Sequence, residues 1–586
     1  MYRRYGKRST KNAVTKILCN ERPKEVDTVK SKYGNMLTKE NDIRTRWLEH
    51  FGEVLNRPDQ IEPAEILTEG AVEIEIETGP PTKDEIRRAL KEMKNGKAPG
   101  VDNITAEILK TDTETTVKEL YALFNVVWFT GKAPKDWRRG LIIKLAKKGD
   151  LSNCGNWRGI TLITTTAKIM GKIIIRRIVL GVDTKLREEQ AGFRAGRGTT
   201  EQIFVLRNIL EQAIEWNSNL YLCFIDFEKA FDSVHRETLW KIMKSYGIPE
   251  KLIQMVKIMY EDSVCAVIYG TGTTEWFGVK SGVKQGCNMS GFVFLLIIDW
   301  IMRKTTACNN TGIRWKMTTK LEDLDFADDI ALLSSNKEQM QDKLNLLISY
   351  AAKTGLKINT GKTKVMRRNA SNSEAITING NDIKDVNDFI YLGATVSKTG
   401  GTNEDIRRRI GHARLAFHKL SKIWRSSQIN RKTKIMLFKS NVIAVLLYSC
   451  ETWKMTKGDE KLLDTFQHKC LRKILKIYWP RKVSNETMRE TAGVEKTSTL
   501  IKKRRWQWLG HVLRMEANAH PRIALGWAPE GKRKRGRPKE TWRRTIERER
   551  KDLGFGSWAE AARSAQDRNT WRGLVHGHIL HSERRK

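Results

Sequence analysis

The stretch LDFADDIALL, Leu324 to Leu333, sets Asp328 and Asp329 side by side inside a run that otherwise reads as a buried strand. Asp is depleted in strands, and a buried carboxylate without a partner is costly enough that it takes up a proton instead. Either a cation meets these two acids, or the run is not buried. A second stretch raises the same difficulty. LYLCFIDF, Leu220 to Phe227, is a near-continuous apolar strand that runs into Asp226. KLEDLDFADDIALLSS predicts two short strands folded about Asp328 and Asp329. If these elements lie side by side, three carboxylates converge, and neither apolar run contains a basic side chain to balance them. Two divalent cations would do so, and hard oxygen ligands suit Mg²⁺, with Mn²⁺ as a substitute. A pair of ions is also the device that activates an attacking oxygen and stabilises a leaving one in phosphoryl transfer. The plainer alternative is that Asp226 caps the turn after its strand and the other two form an exposed hairpin turn. The residues alone leave both open.

Charge narrows the partners. The 586-residue chain has a formal net charge of +39, a self-repulsion best tolerated beside a polyanion, so nucleic acid leads. A merely basic surface is the bland reading of the same figure. The eight cysteines include no CxxC pair, a pattern of reduced thiols rather than a disulfide framework. Cys450, His468 and Cys470 fit no common zinc spacing. No apolar run reaches membrane-spanning length, and MYRRYGKRSTKNAV lacks a signal-peptide core. No membrane partner is expected, and the nucleus or cytoplasm is the expected location.

Along the chain, residues 1–79 read as an N-terminal connector. Within it, Trp47, Phe51, Val54 and Leu55 recur at helical spacing. Pro80 and Pro81 then break the chain, and Thr82 with Glu85 predicts a capping box. Strands and helices alternate through 80–400, with a helix ending at Gly247. Residues 401–485 are helix-rich, with Ile410, Ala413, Phe417, Leu420 and Trp424 on one face. The segment 486–586 is basic and tryptophan-rich: the last 86 residues hold 23 Lys/Arg against 9 Asp/Glu, and six tryptophans. That excess favours a nucleic-acid surface, although core packing in a small helical module is the commoner fate of tryptophan.

FADD between apolar strands, with FIDFEKAFDSV upstream, resembles the reverse transcriptases of non-LTR (long-interspersed-element-type) retrotransposons. NGKAPGVDNITAEILK, LIIKLAKKGDLSNCGNWRGITLI, QAGFRAGRGTTEQI, SGVKQGCNMSGFVF, GLKINTGKTKVM and FIYLGATVS follow the family's order. The resemblance implies a right-hand polymerase: an α/β (α+β) palm with fingers over 80–400, a helical thumb over 401–485, and a basic, mainly helical region after it. It implies that Asp226, Asp328 and Asp329 hold two metal ions. It implies that Phe231 lies against the sugar and selects deoxynucleotides, and that Gln285 packs near the incoming nucleotide. Arg158 and Lys144 would meet the triphosphate, and Lys362 would protonate departing pyrophosphate. Phe389, Tyr391, Leu392 and Gly393 would form the primer grip. Its partners would be element RNA as template, a DNA target as primer, and dNTPs. The reaction would be RNA-directed DNA synthesis from a nicked-DNA 3′-hydroxyl, that is, target-primed reverse transcription.

Two positions depart from the family pattern. Gly291 stands where proline usually follows serine, which predicts a looser turn and a less well held Gln285. Gly159 stands where proline is frequent. Residues 1–75 are too few for the family's apurinic-type endonuclease, which leaves a truncated copy, a partial gene model, or a separate nuclease as partner. In the tail, Arg535-Gly536-Arg537-Pro538 resembles an AT-hook and equally a nuclear-localisation run. Two rivals remain: a group II intron- or telomerase-type enzyme, and a non-catalytic RNA/DNA-binding descendant.

Overall fold

The computed structural model describes residues 28–58, 65–66, 72–307, 311–369, 374–533 and 535–584. The strands that shape the site are β1 (Arg139–Ala146), β2 (Trp157–Leu162), β3 (Leu220–Ile225), β4 (Val264–Tyr269), β5 (Asp323–Phe326), β6 (Asp329–Ser334), β7 (Lys364–Arg368), β8 (Asp388–Tyr391) and β9 (Ala394–Ser397). Two sheets and a hairpin collect them. β5-β6-β3-β7 form an antiparallel palm sheet. β2-β1-β4 form the fingers sheet, in which β1 and β4 run parallel. β8 and β9 pair with each other.

The palm strand is apolar throughout because both its faces are covered. Tyr221, Cys223 and Ile225 point to one core with helices α3 (Ser290–Thr305) and α4 (Lys337–Ala352). Leu220, Leu222 and Phe224 point to a second core with helix α2 (Thr199–Glu215). The period of two divides LYLCFI cleanly between them. On the fingers sheet, helix α1 (Glu40–Leu55) lays Ile43, Trp47 and Phe51 against Ile142, Trp157, Cys265 and Val267. The helix within the N-terminal connector thus shares its core with the fingers. The helix Lys83–Glu92 opens on the expected reciprocal cap, in which Thr82 and Glu85 satisfy each other's backbone N–H, worth about 1 kcal/mol.

Helices α5 (Asn403–Lys419) and α6 (Lys457–Ile474) build a core of their own, which takes in Ile410, Ala413, Phe417, Leu420 and Trp424. The apolar face runs on past a break at Leu420, after which a short helix, Ser421–Arg425, carries Trp424. Beyond it come α7 (Thr497–Leu513), α8 (Trp542–Asp552) and α9 (Arg568–Arg584). These are not a module with a private core. Trp506, Trp527, Trp542 and Trp571 are buried in the core that covers the second palm face, and Trp542 meets Phe204 of α2 edge-on at 4.7 Å. The tryptophan-rich tail is therefore the underside of the palm, and stacking on bases is closed to these four rings. Among the described residues no helix is long and apolar enough to cross a membrane.

Candidate active site

The acids sit where the palm sheet ends. β5 and β6 fold about Ala327 and Asp328, with Ala327 in the left-handed region at φ 58°. A buried glutamine holds that turn: the N–H groups of Ala327 and Gly192 both donate to Gln190 Oε1, at 2.9 and 2.7 Å. A Cβ on Gly192 would come within 2.2 Å of Ala327 N, so the QAGF segment needs a glycine for the close approach. In the next strand Ile225 pairs with Ile330, which brings Asp226 beside Asp329. The NTGKTK loop closes the other flank. Asn359 N–H donates to Asp226 O at 2.7 Å, and Lys362 Nζ reaches Asp226 Oδ2 at 3.1 Å.

The apolar run is buried, as its composition requires, but the acids stand at its mouth. Asp226 and Asp328 are half-buried and Asp329 is exposed. Their surroundings still disfavour three negative charges. Loss of water around the carboxyl at the mouth of the sheet, then the charges of Asp328 and Asp226, push Asp329 up to about 6 although the residue as a whole stays exposed. Burial and Asp226 push Asp328 up, while its own backbone N–H and Arg158 hold it down. Three hard oxygen donors whose mutual repulsion asks for positive charge make a chemically suitable site for divalent cations. As the side chains stand, with Lys362 drawn onto Asp226, no group of three His, Cys, Asp or Glu among the described residues is arranged to cage an ion.

Around the acids the structure divides the expected residues. Arg158 is exposed on β2, close enough to act on Asp328. Phe231 stacks on Phe294 with centroids 4.4 Å apart and takes the edge of Phe193 at 6.2 Å. Gln285 donates through Nε2 to both carboxylate oxygens of Asp232, at 3.2 and 3.3 Å, and its backbone O accepts from Thr161 N–H at 2.7 Å. That anchorage revises the expected effect of Gly291, because Gln285 is held from Asp232 and from the fingers. Gly291 instead faces Phe193, whose ring a Cβ would approach to 2.8 Å. Gly159 likewise faces Phe51 of α1, at 2.7 Å. At both departures from the family pattern an aromatic ring occupies the space of the missing side chain.

Lys144 is a correction. Its ammonium lies 4.8 Å from the Trp47 ring centroid and 4.5 Å from that of Tyr269, on the α1 side of the fingers sheet. Lys147, just past the end of β1, is the lysine that feels Asp232, Asp226, Arg158 and Lys362. The residues expected to form the primer grip lie on the β8–β9 hairpin. Phe389 stacks on Phe224 at 4.1 Å, and buried Tyr391 donates its hydroxyl to Leu324 O at 2.9 Å. Both rings fasten the hairpin to the palm, leaving Ile390, half exposed, as the side chain turned outward. The turn residues Leu392 and Gly393 both have positive φ, 49° and 80°, the pattern of a two-residue hairpin turn. Their carbonyls accept from Tyr448 Oη and Arg409, which ties the hairpin to the helices beyond it.

In the tail, Arg535, Gly536, Arg537 and Pro538 line a cavity of about 200 Å³ beside the end of α2. Arg533 and Arg544 bind Glu215 there, while Arg535 and Arg537 stay exposed. Sequence reasoning passed over Gln190, Lys147, Asp232 and Ile390. Strand alternation past β1 and through FIYLG could have found Lys147 and Ile390.

Residues 145–396 match the family described as reverse transcriptase (RNA-dependent DNA polymerase). The chain carries a reverse transcriptase domain. The curated relatives it resembles are named for transposons and mobile elements. A Xenopus laevis protein named for transposon TX1 is 28% identical over 58% of this chain and 26% of its own length. The R2 retrotransposable-element polyprotein of Popillia japonica is 24% identical over 67% and 55%. The RNA-directed DNA polymerase from mobile element jockey of Drosophila funebris is 24% identical over 68% and 44%. The chain thus spans from about a quarter to about half the length of these relatives. Residues 416–448, after the reverse transcriptase domain, match a domain of unknown function. A telomerase of Candida albicans, solved with an RNA fragment, aligns with 65% of this chain and 69% of its own at 14% identity and a TM-score of 0.39.

Proposed function

We propose that the protein is an RNA-directed DNA polymerase that extends a DNA 3′-hydroxyl on an RNA template, as in target-primed synthesis. The carrying observation is the set of Asp226, Asp328 and Asp329 at the ends of adjoining antiparallel strands inside the reverse transcriptase domain. The primer oxygen attacks the α-phosphorus of a dNTP in line, and pyrophosphate leaves. Two Mg²⁺ on these three carboxylates would make the primer hydroxyl a better nucleophile and offset charge on the leaving group. The chain's own parts do the positioning. Gln190 fixes the turn that presents Asp328, and the Asn359 loop fixes Asp226. Phe231, braced by Phe294, walls the sugar site. Arg158 and Lys147 supply positive charge for the triphosphate. Lys362, next to Asp226, is the proton donor to pyrophosphate. Residues 401–485 act as the thumb and grip the template–primer.

Purified protein incubated with dNTPs, Mg²⁺ and an oligonucleotide-primed RNA template should extend the primer, and Asp328→Ala with Asp329→Ala should not. Wild-type protein that binds the template–primer without extending it would overturn the polymerase and leave a nucleic-acid-binding protein.

A further inference from the structure

Sixteen of the eighteen tryptophans of this chain are buried or half-buried; the exposed pair are Trp558, at 40%, and Trp479, at 83%. Tyr478, next to Trp479, is 62% exposed. Their loop is not slack. Arg472 donates to Val483 O and Asn485 Oδ1, Ile477 N–H donates to Arg472 O, and Arg481 N–H donates to Tyr478 O. The rings are held out by a braced turn between α6 and the helix Asn485–Ala492.

The charge around them is of one sign. From Leu471 to Asn485 the chain holds Arg472, Lys473, Lys476, Arg481 and Lys482 and no acid. Lys482 lies 5.7 Å from the Trp479 ring centroid. A cleft of about 560 Å³ is lined by both rings and by Arg472, Arg481 and Lys482. The loop stands at the far end of α6. The start of α6 is tied to the underside of the palm, where Met455 N–H donates to Thr545 of α8. Eighteen helical residues, about 27 Å, carry the chain from there to the loop.

We propose that the Tyr478–Lys482 loop is a binding site for single-stranded RNA, with unpaired bases stacked on Trp479 and Tyr478 and phosphates on the surrounding cations. Bare π-faces beside a row of cations suit unpaired bases, whose faces are free, better than a duplex, whose bases are already stacked. Only the choice of RNA over DNA rests on the polymerase reading; the stacking site does not.

The test is fluorescence anisotropy of full-length protein whose cleft is preloaded with unlabelled primer–template. The probes are a labelled unstructured RNA 12-mer, the matching DNA, and a blunt duplex. Tyr478→Ala with Trp479→Ala should weaken RNA 12-mer binding five- to a hundredfold. Duplex binding should change less than twofold, and Trp479→Phe should restore most of the loss. Melting curves of the variants report folding. Unchanged RNA affinity in a folded double variant overturns the site, as does an equal loss for duplex and single strand. An equal loss for DNA keeps the stacking site and overturns the choice of RNA. A wild-type dimer that the double variant breaks, with RNA affinity intact, makes the loop a contact between copies and also overturns the proposal. A protein that never extends a primer can still pass or fail each of these.

Discussion

Within seven residues, LEDLDFADD places two sets of acids that the structure treats in opposite ways. Asp323 and Asp325, on β5, are fully buried, and Arg187 meets them: 2.5 Å to both oxygens of Asp323 and 3.3 Å to Asp325. Asp328 and Asp329, at the turn that follows, have Asp226 for a neighbour and no cation of comparable burial; Lys362 reaches only Asp226, from solvent. The first set is closed by the protein's own charge. The second is left open to charge brought from outside. An acid's chemistry is therefore told by whether the fold supplies its counterion, and not by the acid or its strand.

The open set should fail in activity alone. Asp226→Asn, at the mouth of the sheet, is expected to cut primer extension by about three orders of magnitude or more, with a melting temperature near that of the wild type. A loss of extension matched by a loss of fold would mean that Asp226 belongs with the closed set. The closed set should fail in stability. Arg187→Met strands Asp323 in the core and is expected to cost about 3–5 kcal/mol, read by denaturant unfolding. Stability within 1 kcal/mol of wild type, allowing for measurement error, would show that the pair is not a buried ion pair.

The two sets were not equally legible from the chain. Asp226, Asp328 and Asp329 announce themselves because they interrupt or end apolar runs, and the burial of those runs is written in their composition. The partner of Asp323 lies 136 positions away in LREEQ, among charged residues that look like any solvated surface, and no local pattern points to it. The two lysines show the same limit. Which of Lys144 and Lys147 faces the acids depends on the face of β1 that α1 covers, a matter of Trp47 finding its seat. The glycines at 159 and 291 read as loosened turns until the rings of Phe51 and Phe193 are placed against them. Local spacing recovers strands, caps and helical faces; what meets across them is a long-range fact.

The open set should also respond to pH. Asp329, pushed up to about 6, must lose its proton before it can serve a cation. Apparent Mn²⁺ affinity, measured by titration calorimetry in the metal-free protein, should fall about tenfold for each pH unit below about 6 and level off above it. The sign follows from competition: below the raised value the proton holds the site, and above it the carboxylate is free. An affinity flat from pH 5 to 7 would mean that Asp329 is no ligand.

The smallest effect lies inside the closed set. Burial and the charge of Asp323 push the Asp325 carboxyl well up, which favours a neutral Asp325 beside a charged Asp323. Asp325 lies within hydrogen-bond reach of Asp323, an arrangement of two carboxyl groups that needs a proton between them. Asp325→Asn, which replaces one neutral polar group with another, should then change unfolding free energy by less than about 1 kcal/mol, whereas Asp323→Asn, which removes the carboxylate nearest Arg187, should cost about 3 kcal/mol or more. Equal losses would place a full charge on both acids. The closed set would then be short of positive charge, and the distinction drawn from Arg187 would be one of degree.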